Sequence, residues 1–221
     1  MSERIRCAVS WSGGKDSALA LQRVANNQHL QVVALITTHV DGWAPIQGLP
    51  LAFIESQAER LNLPIIKIEL PEPFPSNAIY QACYINGVQN SRQQVGSVAF
   101  GDLFCNGIAE YRRSFIEPHG IQCLFPLMGQ PSLSIAKQII TSNIVSKVVT
   151  VNQDLVTAPI LWQDYNQNLI NQLAANVDPC GEHGEFHTAV FDHPLFSSAI
   201  SAKTEQRIVD KNLIHQLFEW S

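Results

Sequence analysis

Positive charge is scarce in this chain. Lys and Arg number 14 among 221 residues, against 19 Asp and Glu, for a net charge of −5. That balance withholds the basic footprint of a nucleic-acid partner. No apolar run approaches the length that spans a bilayer, and Met1-Ser2-Glu3-Arg4 does not begin a signal peptide, so a cytoplasmic protein away from membranes is expected. The five cysteines (Cys7, Cys83, Cys105, Cys123, Cys180) are scattered, with no C-x-x-C pair. They read as reduced, mostly buried thiols, which excludes a disulfide framework and a zinc site of paired cysteines. Charged residues are only 15% of the chain while apolar ones are 46%, which excludes disorder and suits a globular enzyme. There is no internal repeat and no low-complexity tract.

What the chain does carry is concentrated in two places. The first is Ser10-Trp11-Ser12-Gly13-Gly14-Lys15-Asp16-Ser17. Ile5 to Val9 before it is short, apolar and rich in β-formers, as a buried strand is. Ala18, Leu21, Val24 and Ala25 after it are spaced as one face of a helix that stops near Asn26-Asn27. A strand therefore ends, two glycines turn the chain, and a helix opens with its N–H groups and positive dipole end aimed at the turn. That is an anion site, and phosphate is the usual anion. The Walker loop puts its hydroxyl directly after the lysine, whereas here Asp16 separates Lys15 from Ser17. Ser12, Ser17 and the N–H groups of Gly13 and Gly14 can hold pyrophosphate oxygens. Lys15 can neutralise charge on a leaving group, and Asp16 can fix the loop or help hold Mg²⁺. The competing reading is an ordinary Gly-Gly turn capped by Asp and Ser.

Gln31–Thr37 reads as a second strand, apolar almost throughout, as a parallel strand covered on both faces is. It delivers Thr37, Thr38 and His39 to the carboxyl edge, where open α/β sheets bind ligands. His39 is either a ligand contact or an incidental loop histidine. Residues 43–50 read as loop, 51–61 as a helix and 64–70 as a third strand. Pro71, Pro73 and Pro75 then break the chain, and Ser76-Asn77 caps a helix predicted from Ala78 to Asn90. A fourth strand, Val95–Phe100, brings Gly101 and Asp102 to the same edge. Asp102 can bind Mg²⁺, orient a substrate, or cap a helix predicted over Leu103–Ile116. On that helix Glu110, Arg112 and Arg113 read as a solvated face, although one arginine could reach a phosphate or carboxylate. Strand–helix alternation with short links predicts a parallel α/β sheet. A composition shift near 125 predicts two domains, 1–125 for nucleotide and a smaller 126–221 of α/β or α+β class, with helices over 132–142 and 164–176 and a strand over 145–151.

The second place is Cys180-Gly181-Glu182-His183-Gly184-Glu185-Phe186-His187, leading into a strand predicted over Phe186–Phe191. A polar loop fixed by glycines ahead of an apolar strand is a site candidate. The spacing of His183 and His187 would align metal ligands on a helix, but the glycines and the β-rich run oppose a helix here. Cys180 as a nucleophile has no activating partner that the sequence identifies.

The run Ser-Gly-Gly-Lys-Asp-Ser at 12–17 resembles the PP-loop of the ATP pyrophosphatase superfamily, whose members split ATP between the α and β phosphates and adenylate a substrate. Taken with Phe100-Gly101-Asp102-Leu103, Phe125-Pro126-Leu127 and the Cys-Gly-Glu-His-Gly-Glu-Phe-His-Thr run at 180–188, the chain resembles the diphthine–ammonia ligase family over nearly its whole length. That resemblance implies an α/β, Rossmann-like PP-loop domain of the adenine nucleotide alpha hydrolase-like kind, joined to a smaller substrate-side domain. It implies ATP and Mg²⁺ as cofactors. Ser10, Ser12, Gly13, Gly14, Lys15, Asp16, Ser17, Thr37, Gly101 and Asp102 would meet the nucleotide, with Asp16 also at Mg²⁺. Glu182, His187 and Thr188 would meet the substrate. Lys15, Asp16, Glu182 and Glu185 would carry the chemistry, with Glu182 or Glu185 as base.

Members of that family adenylate the carboxylate of diphthine, a modified histidine of elongation factor 2, and ammonia then displaces AMP. Here Gln47-Gly48 stands where His-Gly is frequent, Ser76-Asn77-Ala78 where Ser-Asn-Glu is, and the late motif resembles the form found in bacterial relatives. The expected carboxylate therefore lies on a protein such as elongation factor 2 or on a small molecule. Ser2 is not the N-terminal cysteine of one amidotransferase class, so free ammonia or an external donor is expected. The chain can also form a homodimer. Two other readings share the loop: a PP-loop tRNA-modifying enzyme, which should show a basic face or paired cysteines, and a non-catalytic ATP- or AMP-binding module.

Overall fold

The computed structural model describes residues 4–45, 47–104, 106–157 and 159–221; Met1, Ser2, Glu3 and Cys105 lie outside them. The first half runs β1 (Ile5–Ser10), α1 (Lys15–Ala25), β2 (Leu30–His39), the two-residue strands β3 (Trp43–Ala44) and β4 (Leu49–Pro50), α2 (Leu51–Arg60), β5 (Ile65–Glu69), α3 (Asn77–Gln89), β6 (Ser97–Ala99), α4 (Ile108–Ile116) and β7 (Gln122–Leu124). The second half runs α5 (Ser132–Thr141), β8 (Val145–Asn152), α6 (Gln167–Gln172), β9 (Phe186–Asp192), β10 (Ala202–Asp210) and β11 (Leu213–Trp220).

A five-stranded parallel sheet has the order β5-β2-β1-β6-β7. Central β1 pairs with β2 from Ile5↔Leu30 to Ser10↔Ile36, and with β6 from Cys7↔Ser97 to Val9↔Ala99. A central parallel strand is covered on both faces, and Cys7, Ala8 and Val9 are accordingly all buried. From β1 the chain steps outward through β2 and β5; from β6 it steps the other way, to β7. The carboxyl ends of β1 and β6 therefore form a topological switch point, the crevice where open α/β sheets take ligands.

The second sheet is antiparallel, in the order β10-β11-β8-β9, so this part of the chain is of the α+β class. Its edge strand β9 lies against the first half, with Val190 N–H donating to Gly13 O at 2.9 Å. Phe53 of α2 packs edge-on against Phe218 and Trp220 of β11, at 5.0 and 5.4 Å between ring centroids. Each such pair adds about 0.5–1.5 kcal/mol beyond burial. One hydrophobic cluster accordingly joins Leu49, Phe53 and Ile54 to Val148, Phe186 and Phe218.

Four local expectations need correction. The fifth strand, β7, follows α4 where only a change of composition was readable. The β10–β11 hairpin had no counterpart in the sequence reading, because β10 is exposed along nearly its whole length and so carries no burial pattern. The helix predicted from Leu103 begins at Ile108, where Asn106 Oδ1 accepts from the Ile108 N–H at 3.4 Å. The helix predicted over 164–176 shrinks to Gln167–Gln172, capped by Asn166, because Asp164 pairs with Lys147 beside β8 instead. Cys7, Cys83, Cys123 and Cys180 are free thiols, and among the described residues no helix is long and apolar enough to cross a membrane.

Candidate functional site

The turn between β1 and α1 is held by its own hydroxyls. Ser12 Oγ accepts from the Gly14 N–H at 3.3 Å and lies 3.2 Å from Ser17 Oγ, which donates to Gly14 O at 2.8 Å. α1 has no side-chain cap from the residue preceding it. Thr188 of β9 takes that place, its Oγ1 accepting from the Lys15 N–H at 3.1 Å. Gly101, at the end of β6, approaches so closely that a Cβ there would lie 3.0 Å from backbone atoms of Asp16 and Ser17. Only glycine lets the segment after β6 come so close to the first turn of α1.

Gln57 of α2 joins the turn to β9. It is fully buried; its Oε1 accepts from Trp11 Nε1–H at 2.9 Å, and its Nε2 donates to Gly13 O at 3.1 Å and Val190 O at 2.7 Å. The sequence reading did not single it out. The signal was there, since Gln57 is a polar residue on the buried face that Phe53, Ile54 and Ala58 define.

A cavity of about 470 Å³ opens at the switch point. Ser10, Ser12, Gly14, Lys15, Asp16 and Ser17 form one wall. Gly101 and Asp102 follow β6, and Glu182, His187 and Thr188 come from the late segment. The two constellations of the sequence thus face one space. A smaller cavity of about 160 Å³ adjoins it, lined by Ile36, Thr37 and Thr38 at the end of β2 together with Tyr80 and Tyr84. Ser10, Ser12, Gln47 and Arg112 line both.

Charge in the larger cavity is unbalanced. Lys15 is 2% exposed, and its Nζ donates to Asp16 Oδ2 at 2.8 Å and to Cys180 O at 2.5 Å, beside the rings of Tyr165 and Phe186. Burial pulls the Lys15 ammonium down, but neighbouring negative groups, Asp16 foremost, hold it above the ordinary lysine value. Asp16 Oδ1 is buried with no hydrogen-bond partner among the described residues. Burial, and after it the Asp16 charge, pushes Glu182 up to about 7. Burial pulls His187 down to about 4, so its imidazole is neutral at physiological pH. Cys180 is buried and pushed up to about 11, a thiol rather than a thiolate.

Several site expectations sit differently in the fold. Glu185 lines neither cavity. It is 3% exposed, and its two oxygens accept from the N–H groups of Asp178 (2.9 Å) and His183 (2.8 Å), which shapes the loop from inside. Asp102 caps no helix. It takes the Arg112 fork, Nε to Oδ2 at 2.7 Å and Nη2 to Oδ1 at 3.1 Å. Arg112 itself turns inward rather than to solvent, its Cζ lying over the Phe100 ring 4.2 Å from the centroid. His39 belongs to β2 and lines neither cavity. His183 is exposed and packs against Phe104 at 5.3 Å, away from His187. Among the described residues no group of three or more His, Cys, Asp or Glu is placed to hold a metal ion by itself.

Two family models match the chain in succession: the diphthamide synthase N-terminal domain over residues 5–117 and the diphthamide synthase C-terminal domain over residues 132–218. Among curated proteins nothing matches it.

Proposed function

Because the chain belongs to the diphthamide synthase family, whose members are ATP-dependent ligases with diphthine–ammonia ligase activity, we propose that this amidation runs in the cavity shared by its two constellations. ATP enters with its adenine in the smaller cavity beside Thr37 and its β and γ phosphates in the Gly13-Gly14 turn. There the head of α1 and the Lys15 ammonium favour negative charge. Residues 1–125 form the nucleotide side and 126–221 the substrate side. The observation that carries this reading is that Lys15 and Glu182, which lie far apart in sequence, line the same cavity.

A substrate carboxylate oxygen attacks the α-phosphorus, and the bond from that phosphorus to the β-bridging oxygen breaks. Lys15 and the N-terminus of α1 hold the charge that collects on the departing pyrophosphate. Ammonia then attacks the acyl carbon and AMP leaves with its oxygen. Glu182, whose raised pKa makes it a stronger base than an exposed glutamate, takes the proton from the incoming ammonium. Neutral His187 and the Thr188 backbone border the acyl group. The carboxylate is that of diphthine on elongation factor 2 or another of like reach.

Mg²⁺ fits Asp16, whose buried Oδ1 has no protein partner among the described residues and so suits a cation held jointly with phosphate oxygens. Bound there, the ion would neutralise phosphate charge. The test is to assay AMP and pyrophosphate release from ATP, with ammonia, against a panel of carboxylates that includes diphthine-bearing elongation factor 2. Carboxylate-dependent pyrophosphate release with amide formation supports the ligase. Tight ATP binding with no pyrophosphate from any candidate would make the protein a nucleotide-binding module instead.

A further inference from the structure

Arg112 is the one strongly basic side chain at the junction of the two cavities, and on the nucleotide placement proposed above, that junction is where the α-phosphate must pass. The adenine end lies against Thr37 in the smaller space, and the pyrophosphate end lies in the turn before α1. Among the described residues only Ser10, Ser12, Gln47 and Arg112 line both spaces, and of these four only Arg112 is charged. The side chain is also built to hold a fixed pose. Asp102 takes its Nε and one Nη2 hydrogen, and Phe100 covers one face of the guanidinium at 4.2 Å. A guanidinium has five N–H donors. Asp102 takes two of its donors and the Tyr80 hydroxyl lies within reach of another, which leaves the rest for a ligand. Burial disfavours this cation, but the Asp102 charge outweighs that and holds it protonated.

We propose that Arg112 is a catalytic residue that grips the α-phosphoryl oxygens, with Asp102 as the positioning residue that aims its fork. As the carboxylate oxygen bonds to the α-phosphorus and the electron pair of the broken bond leaves on pyrophosphate, the non-bridging oxygens of the α-phosphoryl group gain charge. A planar guanidinium with paired donors matches those oxygens better than an ammonium does. Arg112 thus serves the group that stays with the substrate, while Lys15 serves the group that leaves.

Binding of adenosine, AMP and ATP separates these two roles without requiring turnover. The wild type should bind AMP roughly tenfold more tightly than adenosine, as a charge-assisted contact worth about 1.4 kcal/mol or more implies. In Arg112→Met that preference should shrink to within about twofold, while the further gain from AMP to ATP is kept. Lys15→Met should do the reverse. Arg112→Lys, which keeps the charge and the stem, should restore part of the AMP preference and guards against mere loss of folding. Asp102→Asn should lower the AMP preference less than Arg112→Met does. An AMP preference unchanged in Arg112→Met, or absent from the wild type, overturns the assignment. Failure of the ligase reading would show separately, as no carboxylate-dependent pyrophosphate release from a wild type that still prefers AMP.

Discussion

The N–H of Lys15 is bonded to the hydroxyl of Thr188, a residue 173 positions further along, so α1 takes its cap from β9 of the antiparallel sheet. The turn before α1 is thereby tied to β9. The wall bearing Glu182 and His187 is anchored by the same bond.

Thr188→Val retains the side-chain shape and removes the acceptor. We expect a loss of about 1 kcal/mol in urea unfolding, the usual cost of a lost helix cap, together with weaker ATP binding. Thr188→Ser should behave nearly as the wild type does. Equal ATP affinity in the valine and serine variants would show that the cap does not shape the turn.

Gln57→Leu strips the partner from Trp11 Nε1 and from Val190 O, and takes one of two donors from Gly13 O, which keeps the Val190 N–H. Leaving buried polar groups unpaired costs about 1–3 kcal/mol for each, so a destabilisation of at least about 2 kcal/mol is expected from denaturation midpoints. Gln57→Glu should also destabilise, because a carboxylate cannot donate to the two carbonyls. A leucine variant as stable as the wild type would mean the clasp contributes only shape.

Glu182 sets a pH dependence with a definite sign. Its pKa rises from 4.5 to about 7 on folding, so the folded chain binds more protons than the unfolded one between those values, and stability falls as pH rises through about 7. Glu182→Gln removes that penalty and should melt higher than the wild type near pH 8, with little difference near pH 4. In turnover, the amidation rate of the wild type should climb with pH along a limb centred near 7. A limb that persists unchanged in Glu182→Gln would assign the base elsewhere.

Gly181 and Gly184 make a matched pair. Both have positive φ, +74° and +81°, but a Cβ on Gly181 would sit 2.6 Å from Phe186 O, whereas one on Gly184 meets open space. Gly184→Ala should cost only the backbone strain, on the order of 1 kcal/mol. Gly181→Ala must also displace the loop that presents Cys180 O to Lys15 and Glu182 to the cavity. Its adenylation rate, measured by pyrophosphate exchange, should fall well below that of Gly184→Ala. Equal rates would remove the loop from the mechanism.

The parts of the fold legible in the sequence were those where burial leaves a pattern. β1 and β2 are apolar runs covered on both faces, β5 alternates buried with exposed residues, and α1 and α2 show helical spacing, so all five fall within a few residues of their expected bounds. β10 is exposed along most of its length, and β7 is three residues long, so neither carries a readable period. At the site, the residues found were those in glycine-punctuated polar runs. Arg112 reads either as part of a solvated face or as a reach toward a phosphate or carboxylate, because helical position alone does not say that Asp102 and Phe100 lie on its inward side. Glu182 and Glu185 read alike as candidate bases because sequence does not say which of two neighbouring carboxylates turns inward to the backbone, as Glu185 does, and which faces the cavity, as Glu182 does.

A crystal structure with a non-hydrolysable ATP analogue and a carboxylate substrate tests the central claim most directly. The β and γ phosphates should lie in the Gly13-Gly14 turn against Lys15, with the adenine beside Thr37 and the carboxylate between the α-phosphorus and Glu182. Phosphates seated away from that turn, or a carboxylate separated from Glu182 by the body of the protein, would contradict it.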